Sequence, residues 1–340
     1  MRLAKPLWIA AVILCSHTLL SAQSTWHVVK TLPIGGPGGM DYITIDPVSH
    51  HLYVTRSTHT QVIDPASGKV IADIPGQQRS HGVALVPKLG RGFITDGGGK
   101  GAIVVFDLKT NATLGTIAAV PDADGIIYDA FTNRILVSAG DSNALLTLDP
   151  NIDPKTGKID TPIALGGAPE FLATDGAGKA FVNLEDKNQV AVVDLKARKV
   201  IARWLVAPGG HPVGMAIDRN RHHLILGCRN PQKMIVLSTE TGKVLAGLPI
   251  GQGVDADAFH NGQLFASTGD GAMTVAAETA PGKFEVVQSV QTRIGAKTMG
   301  IDPSTSTIYL PTMEFEPQAP GATGRRTPKP DSFMIVVVAK

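Results

Sequence analysis

Asp41-Tyr42-Ile43-Thr44-Ile45-Asp46-Pro47, His51-Leu52-Tyr53-Val54-Thr55, Gln61-Val62-Ile63-Asp64 and Ser67-Gly68-Lys69-Val70-Ile71-Ala72-Asp73-Ile74 are the four pieces that decide the fold. Each alternates or runs apolar over four to six residues and is bounded by Gly, Pro, Asp or Ser. Those are strand and hairpin signals. Four such strands in succession, with a Ser-Gly-Lys turn before the last, describe an antiparallel meander.

The same grammar recurs along the chain. The second-strand cores are Leu52-Tyr53-Val54, Gly92-Phe93-Ile94, Ile135-Leu136-Val137, Ala180-Phe181-Val182, Leu224-Ile225-Leu226, Leu264-Phe265-Ala266 and Ile308-Tyr309-Leu310. The turns at Asp64, Asp107, Asp149, Asp194 and Ser238 are spaced by 43, 42, 45 and 44 residues. A period of this length marks a propeller or another repeat array. The expected fold is an all-β, seven-bladed β-propeller of four-stranded antiparallel blades. The final unit ends at its third strand, Phe333 to Ala339, whereas Trp26 to Ile34 stands as an orphan strand ahead of the first complete unit. The N-terminal strand is therefore expected to complete the last blade, which hides sheet edges that would otherwise invite aggregation.

Composition agrees with a globular chain. Of 340 residues, 43% are hydrophobic and 18% charged, which excludes disorder and collagen-like sequence. The 37 Gly and 23 Pro punctuate the chain throughout and disfavour a helical bundle. Arg2 and Lys5 precede an apolar run from Leu7 to Leu20 that ends in Ser21 and Ala22. That is the pattern of an export signal, expected over residues 1–22, with one propeller domain over 23–340. The run is too short for a comfortable membrane span, which takes about 20 apolar residues, so no anchor is expected after cleavage. Leu14 stands where a small residue should precede a lipidated Cys15. A periplasmic or secreted protein, expected to be monomeric, follows.

Cleavage removes Arg2 and Lys5 and no acid, so the cations fall from 31 to 29 and match the 29 acids. A protein that neutralises a run of phosphates needs clustered cations, and nucleic acid is not an expected partner. Cys228 remains alone and has no intrachain disulfide partner. Its strand setting reads as a packed, inert thiol.

Leu52-Tyr53-Val54-Thr55, with the downstream Val62-Ile63-Asp64 and Ser67-Gly68-Lys69-Val70 turn, resembles the YVTN repeat of bacterial extracytoplasmic seven-bladed β-propellers, often called YncE-like. The resemblance covers roughly residues 26 to 340, although only the first unit keeps nearly the full signature, and Arg56 stands where that family has Asn. Trp-Asp dipeptides are absent, which sets the sequence apart from the WD40 pattern. The resemblance implies a binding scaffold outside the cytoplasm and no particular reaction.

Sites follow from propeller geometry. The innermost strand of each unit lines the central channel. Aligning those strands on Asp46, Val86, Asp129, Asp175, Asp218, His260 and Asp302 places Asp41, His81, Asp124, Glu170, Val213, Asp255 and Lys297 five residues earlier, around one mouth of the channel. His211 lies two residues before Val213. Ligand binding is assigned to Asp41, His81, Asp124, Glu170, His211, Asp255 and Lys297. His81, Asp124, Glu170 and Asp255 are the candidates for a divalent metal ion, whose preferred ligands are such oxygens and nitrogens; no other cofactor is indicated. His81 and His211 are the candidate general bases. Loops between second and third strands surround the same mouth and carry Arg56, His59, Asp96, Lys100, Glu185, Arg229 and Asp270. A Pro- and Gly-rich insert over 314–331 presents Arg325, Arg326 and Lys329.

Other motifs carry less. Asp96-Gly97-Gly98-Gly99-Lys100 lacks the spacing and following helix of a phosphate loop. Asp149, Asn151, Asp153 and Asp160 mimic a calcium loop, but Pro154 occupies the position that needs Gly. Two functions from different classes are compatible with the sequence. One is a binding scaffold for a protein, peptide or small ligand at the channel mouth. The alternative is a metal-dependent, lactonase-like hydrolase or lyase at the central channel.

Overall fold

A computed structural model describes residues 25–318, 324 and 326–340. The export-signal reading and Arg325 lie outside the described residues. Within them the chain is an all-β propeller with 27 strands and two short 3-10 turns. No described helix is long and apolar enough to cross a membrane.

Five sheets are four-stranded blades, four of them simple meanders such as Pro169–Thr174, Lys179–Leu184, Gln189–Asp194 and Lys199–Leu205. The remaining sheet is seven-stranded and runs from Ile43–Ile45 to Thr113–Ala118 without interruption. This corrects the expectation of seven separate four-stranded blades: five are present. The cause is the strand Lys69–Val86, 18 residues long. It pairs with Ser57–Asp64 along its first part and with Arg91–Asp96 along its last. Ser80 has partners on both sides, Ser57 and Asp96, so the two ladders are continuous. Pro75-Gly76 reads as a break, because Pro removes a ladder donor and Gly76 has a φ of 96°. Gln77 bridges the interruption by donating its amide to the carbonyls of Ile74 at 3.0 Å and Pro75 at 2.8 Å.

Ring closure joins the two ends of the described chain. His27–Pro33 pairs antiparallel with Met334–Ala339, which continues into Thr307–Thr312 and Gly300–Asp302. Trp26 anchors that closing strand to the adjacent blade. Its indole N–H donates to Gln263 Oε1 at 2.9 Å, and its ring meets Phe265 edge-on at 5.2 Å.

The core consists of apolar seams between neighbouring sheets. Phe181 and Val192 pack with Leu224, Leu226 and Leu237 of the next blade; Phe93 and Val105 pack with Ile135 and Val137. Phe93 and Phe181 are wholly buried. Cys228 is also buried, and burial first, then the Asp257 charge, pushes its thiol up to about 12, out of reach of ordinary thiolate chemistry.

Candidate functional site

One buried polar position recurs after the apolar core of the second strand. Thr55, Thr95, Ser138, Asn183 and Ser267 occupy it, all fully buried. Thr55 Oγ1 donates to the His81 carbonyl at 2.7 Å, and Thr95 Oγ1 to the Asp124 carbonyl at 2.6 Å. Asn183 Nδ2 donates to the Val213 carbonyl at 2.9 Å, and Ser267 Oγ to the Lys297 carbonyl at 2.5 Å. Thr298 Oγ1 likewise donates to the Asp41 carbonyl at 2.7 Å. These bonds fix the backbone of the channel-mouth positions, four of them from second strands. Side chains there project from a rigid rim.

A cavity of about 880 Å³ opens at that mouth. Asp41, His81, Asp124, Glu170, Asp255 and Lys297 all line it. His211 is not brought to it: that residue is 41% exposed and pairs with Glu185 at 2.8 Å. Its backbone N–H is held separately by Asn188. The structure thus places His211 beside Glu185 and outside the lining of this cavity.

His81 is the hub of the acidic side. Its Nδ1 meets Asp41 Oδ2 at 2.6 Å and lies 3.6 Å from Asp124 Oδ1. Arg79 Nε donates to His81 Nε2 at 2.9 Å, and Arg79 also pairs with Asp122. That donor assigns the lone pair to Nε2 and the proton to Nδ1, so neither ring nitrogen is free to act as a base in this arrangement. Burial, the largest influence, lowers the pKa of His81. The Asp41 hydrogen bond and the charges of Asp124 and Asp41 together outweigh burial and Arg79, and the net direction is upward.

The floor carboxyls are held toward their neutral forms. Burial raises Asp41, against the opposing hydrogen bond from His81. Burial and the neighbouring carboxylates carry Asp124 up to about 7, although His81 opposes them. Glu170 rises to about 9, first from burial and then from Asp124, Glu185 and Asp255. Asp124 Oδ1 is buried without a hydrogen-bond partner.

Asp255 has a different environment. It is bound by Arg229 through one oxygen and by Lys297 Nζ at 2.5 Å through the other. Both oxygens are spent on cations, which takes Asp255 out of the candidate metal set. Asp41, His81 and Asp124 instead bring three ligand-type atoms within 4.8 Å of one another. Glu170 lines the cavity outside that group.

Several contributors escaped the sequence reading. Tyr42 lines the cavity among Asp41, Asp124, Glu170 and Asp255; burial first, and then those charges, raise its phenol well above the ordinary value. Its ring packs on Phe171 at 5.1 Å. The neighbour of an aligned acid carried no signal of its own. Met313, Phe315, Arg326 and Pro328 form one wall. Phe315, Arg326 and Pro328 belong to the 314–331 insert, which is clasped by a short antiparallel bridge between Phe315 and Pro328. The Glu316 and Lys329 N–H groups donate to the Thr327 and Glu314 carbonyls, both at 2.8 Å.

Arg56 does not face the mouth as a ligand. It is fully buried, with its guanidinium 3.7 Å over the Phe333 ring. It donates to Gly39 O at 2.7 Å, Gly36 O at 3.1 Å, Pro37 O at 3.0 Å and Gln61 Oε1 at 2.5 Å. Its role is to shape the loop that delivers Asp41. The pseudo-calcium segment is equally structural: Asp149 and Asp153 cap their own turns, and Asp160 meets Arg134 and Arg198.

No protein-family model and no curated protein matches the chain. Solved structures do. A hydrazine synthase structure from Kuenenia stuttgartiensis matches with a TM-score of 0.68 at 13% identity, over 82% of this chain and 93% of that one. The WD40 repeats of RRP9 match with a TM-score of 0.73 at 10% identity, over 92% of this chain and 97% of that one. At such identities the likeness is one of fold alone, and it establishes a WD40-like β-propeller despite the missing Trp-Asp dipeptides.

Proposed function

We propose that this chain is an exported, YVTN/YncE-like propeller that binds a small polar ligand at the mouth of its central channel. The observation that carries the reading is the convergence of Asp41, His81, Asp124, Glu170, Asp255 and Lys297 on one cavity of about 880 Å³. Such a volume suits a small molecule or the end of a peptide. Glu170, raised to about 9, keeps a proton to donate, Asp41 and Asp124 add acceptor oxygens, and Lys297, Arg229 and Arg326 supply positive charge. A ligand with hydroxyl or carbonyl groups and one anionic end fits that pattern. Phe315 and Met313 give its apolar part a surface.

The test is a metabolite library screened by thermal shift against wild type and Lys297→Ala. A ligand at 100 times its Kd stabilises the folded state by about 2.7 kcal/mol, which is readily seen as a rise in Tm. The expected result is a compound that raises the wild-type Tm and loses most of that effect in the variant. A hit that stabilises both equally binds elsewhere and rejects the reading. Export is tested separately by sequencing the N-terminus of protein recovered outside the cytoplasm, where cleavage after Ala22 or Gln23 is expected.

A second reading, metal-dependent hydrolysis, has one observation in its favour. The unpartnered Asp124 Oδ1 stands with Asp41 and His81 as a compact three-atom donor set. A divalent ion there would have to displace the Asp41–His81 hydrogen bond and turn Arg79 away from the ring. Calorimetric titration with calcium and zinc decides it: saturable binding lost in Asp124→Asn supports this reading, and no heat with either ion rejects it.

A further inference from the structure

The buried position that follows the second-strand core is interrupted twice. At Pro311 the next residue takes over, with Thr312 Oγ1 donating to the Ile294 carbonyl at 2.8 Å. At Gly227 no side chain on that strand can do so. The space is filled from the opposite direction by Asp257, on the inner strand Val254–His260 of the adjacent blade. A Cβ on Gly214 or on Gly227 would overlap Asp257 Oδ2, so both glycines are required for the carboxyl to enter. Asp257 is 8% exposed, and both its oxygens are buried without a partner.

We infer that Asp257 is the staple of this seam, a positioning residue that sets the inner strand so that Asp255 can bridge Arg229 and Lys297. The bridge lies in the proposed ligand cavity, and its importance for binding rests on that reading. Burial, opposed by the Gly227 N–H, pushes Asp257 up to about 8. A neutral carboxyl has one O–H donor, the same resource as the Thr and Ser hydroxyls elsewhere in the ring. The ionisable groups around it are Cys228 on the strand His223–Arg229, Tyr42 across a small shared cavity, and Asp255 with Arg229 and Lys297. None of them supplies Asp257 with a salt bridge.

Hydrogen exchange read by mass spectrometry near pH 6 and pH 9, with intrinsic rates corrected, tests the assignment without any ligand. Asp257→Ala should speed exchange in segments 212–229 and 254–260 by about tenfold or more while leaving 179–194 unchanged. Wild type should lose protection in the same two segments on going to the higher pH. Asp257→Asn keeps a donor that does not titrate, and it should be protected at both. Gly227→Ser alone should disturb the seam, and Gly227→Ser combined with Asp257→Ala should recover it by restoring a hydroxyl from the usual side. Unchanged exchange in Asp257→Ala overturns the inference, as does a double variant no better than its parents or a pH response surviving in Asp257→Asn. Should Asp257→Ala fail to fold, the Asn and double variants still decide. The Lys297→Ala ligand screen addresses the cavity reading independently, so either can fail alone.

Discussion

Arg56 and Asp257 are both ionisable side chains buried in a seam of the ring, and their surroundings treat them oppositely. Arg56 finds the Gly36, Pro37 and Gly39 carbonyls, Gln61 and the Phe333 ring. Asp257 finds two glycines and no hydrogen-bond donor in bonding geometry. Burial lowers the Arg56 guanidinium only to about 10, so it stays charged at neutral pH, whereas Asp257, raised to about 8, is mostly neutral there. A charge is kept inside the propeller where backbone dipoles converge on it, and a proton is kept where they do not. Around Arg56 the chain bends to suit the charge. Around Asp257 the charge is given up to suit the chain.

The largest effect expected is at Arg56. Arg56→Met retains much of the stem's packing but strands a set of buried carbonyls, and a loss of about 3–5 kcal/mol is expected in urea denaturation. Phe93→Ala should cost a similar 3–5 kcal/mol by opening an apolar void. It should leave exchange in the Gly35–Gly39 loop as it was, which separates lost packing from lost loop order. Equal loosening of that loop by both variants would break the contrast.

A titration sharpens the Asp257 side. A carboxyl whose pKa is raised in the folded state binds a proton that the unfolded chain has already released. Stability is then fully present below the unfolded value near 4 and declines as pH rises toward the folded value. Each retained proton makes the decline about 1.4 kcal/mol per pH unit within that window. Asp257, Asp124 and Glu170, with folded values of about 8, 7 and 9, all act in this direction. Chemical denaturation from pH 5 to 9 should show stability falling with pH, and Asp257→Asn should fall less steeply. Parallel curves would mean that the Asp257 carboxyl is solvated after all.

Smaller effects belong to the neutral staples. Thr95→Ala and Ser267→Ala each remove a hydroxyl from a buried carbonyl, and each should cost about 1 kcal/mol. Smallest of all is Arg326→Ala, an exposed side chain, expected within about 0.5 kcal/mol of wild type in stability. Its effect should show in ligand response alone.

Much of the architecture was legible because blade strands repeat their apolar cores at a near-constant spacing, and alternation reports which face is buried. The continuous seven-stranded sheet was not, because Pro75-Gly76 spells a turn, and the Gln77 and Asp96 side chains that hold the strand across it act only in three-dimensional context. At the site, aligning the inner strands identified Asp41, His81, Asp124, Glu170, Asp255 and Lys297 as positions on one rim. The alignment could not say what each would meet. Asp255 is claimed by two cations, His81 is held at both nitrogens, and His211 is taken up by Glu185. Arg56 looked like a loop cation because a single strand pattern does not reveal that five consecutive residues, Gly35 to Gly39, will fold their carbonyls around it.

The closing strand has a consequence for timing. Among the described residues His27–Pro33 pairs only with Met334–Ala339, so that ladder cannot form until some 300 residues more of the chain are present. If the protein is exported, its first structural strand would reach the new compartment with an open edge and wait there while the other sheets assemble. Blades can form locally in order, but the ring is sealed by the most distant strand pairing among the described residues, and pairings of such long range are expected to form late. The interval before it is when the growing chain would be most open to another strand, and when a folding helper would have most to hold.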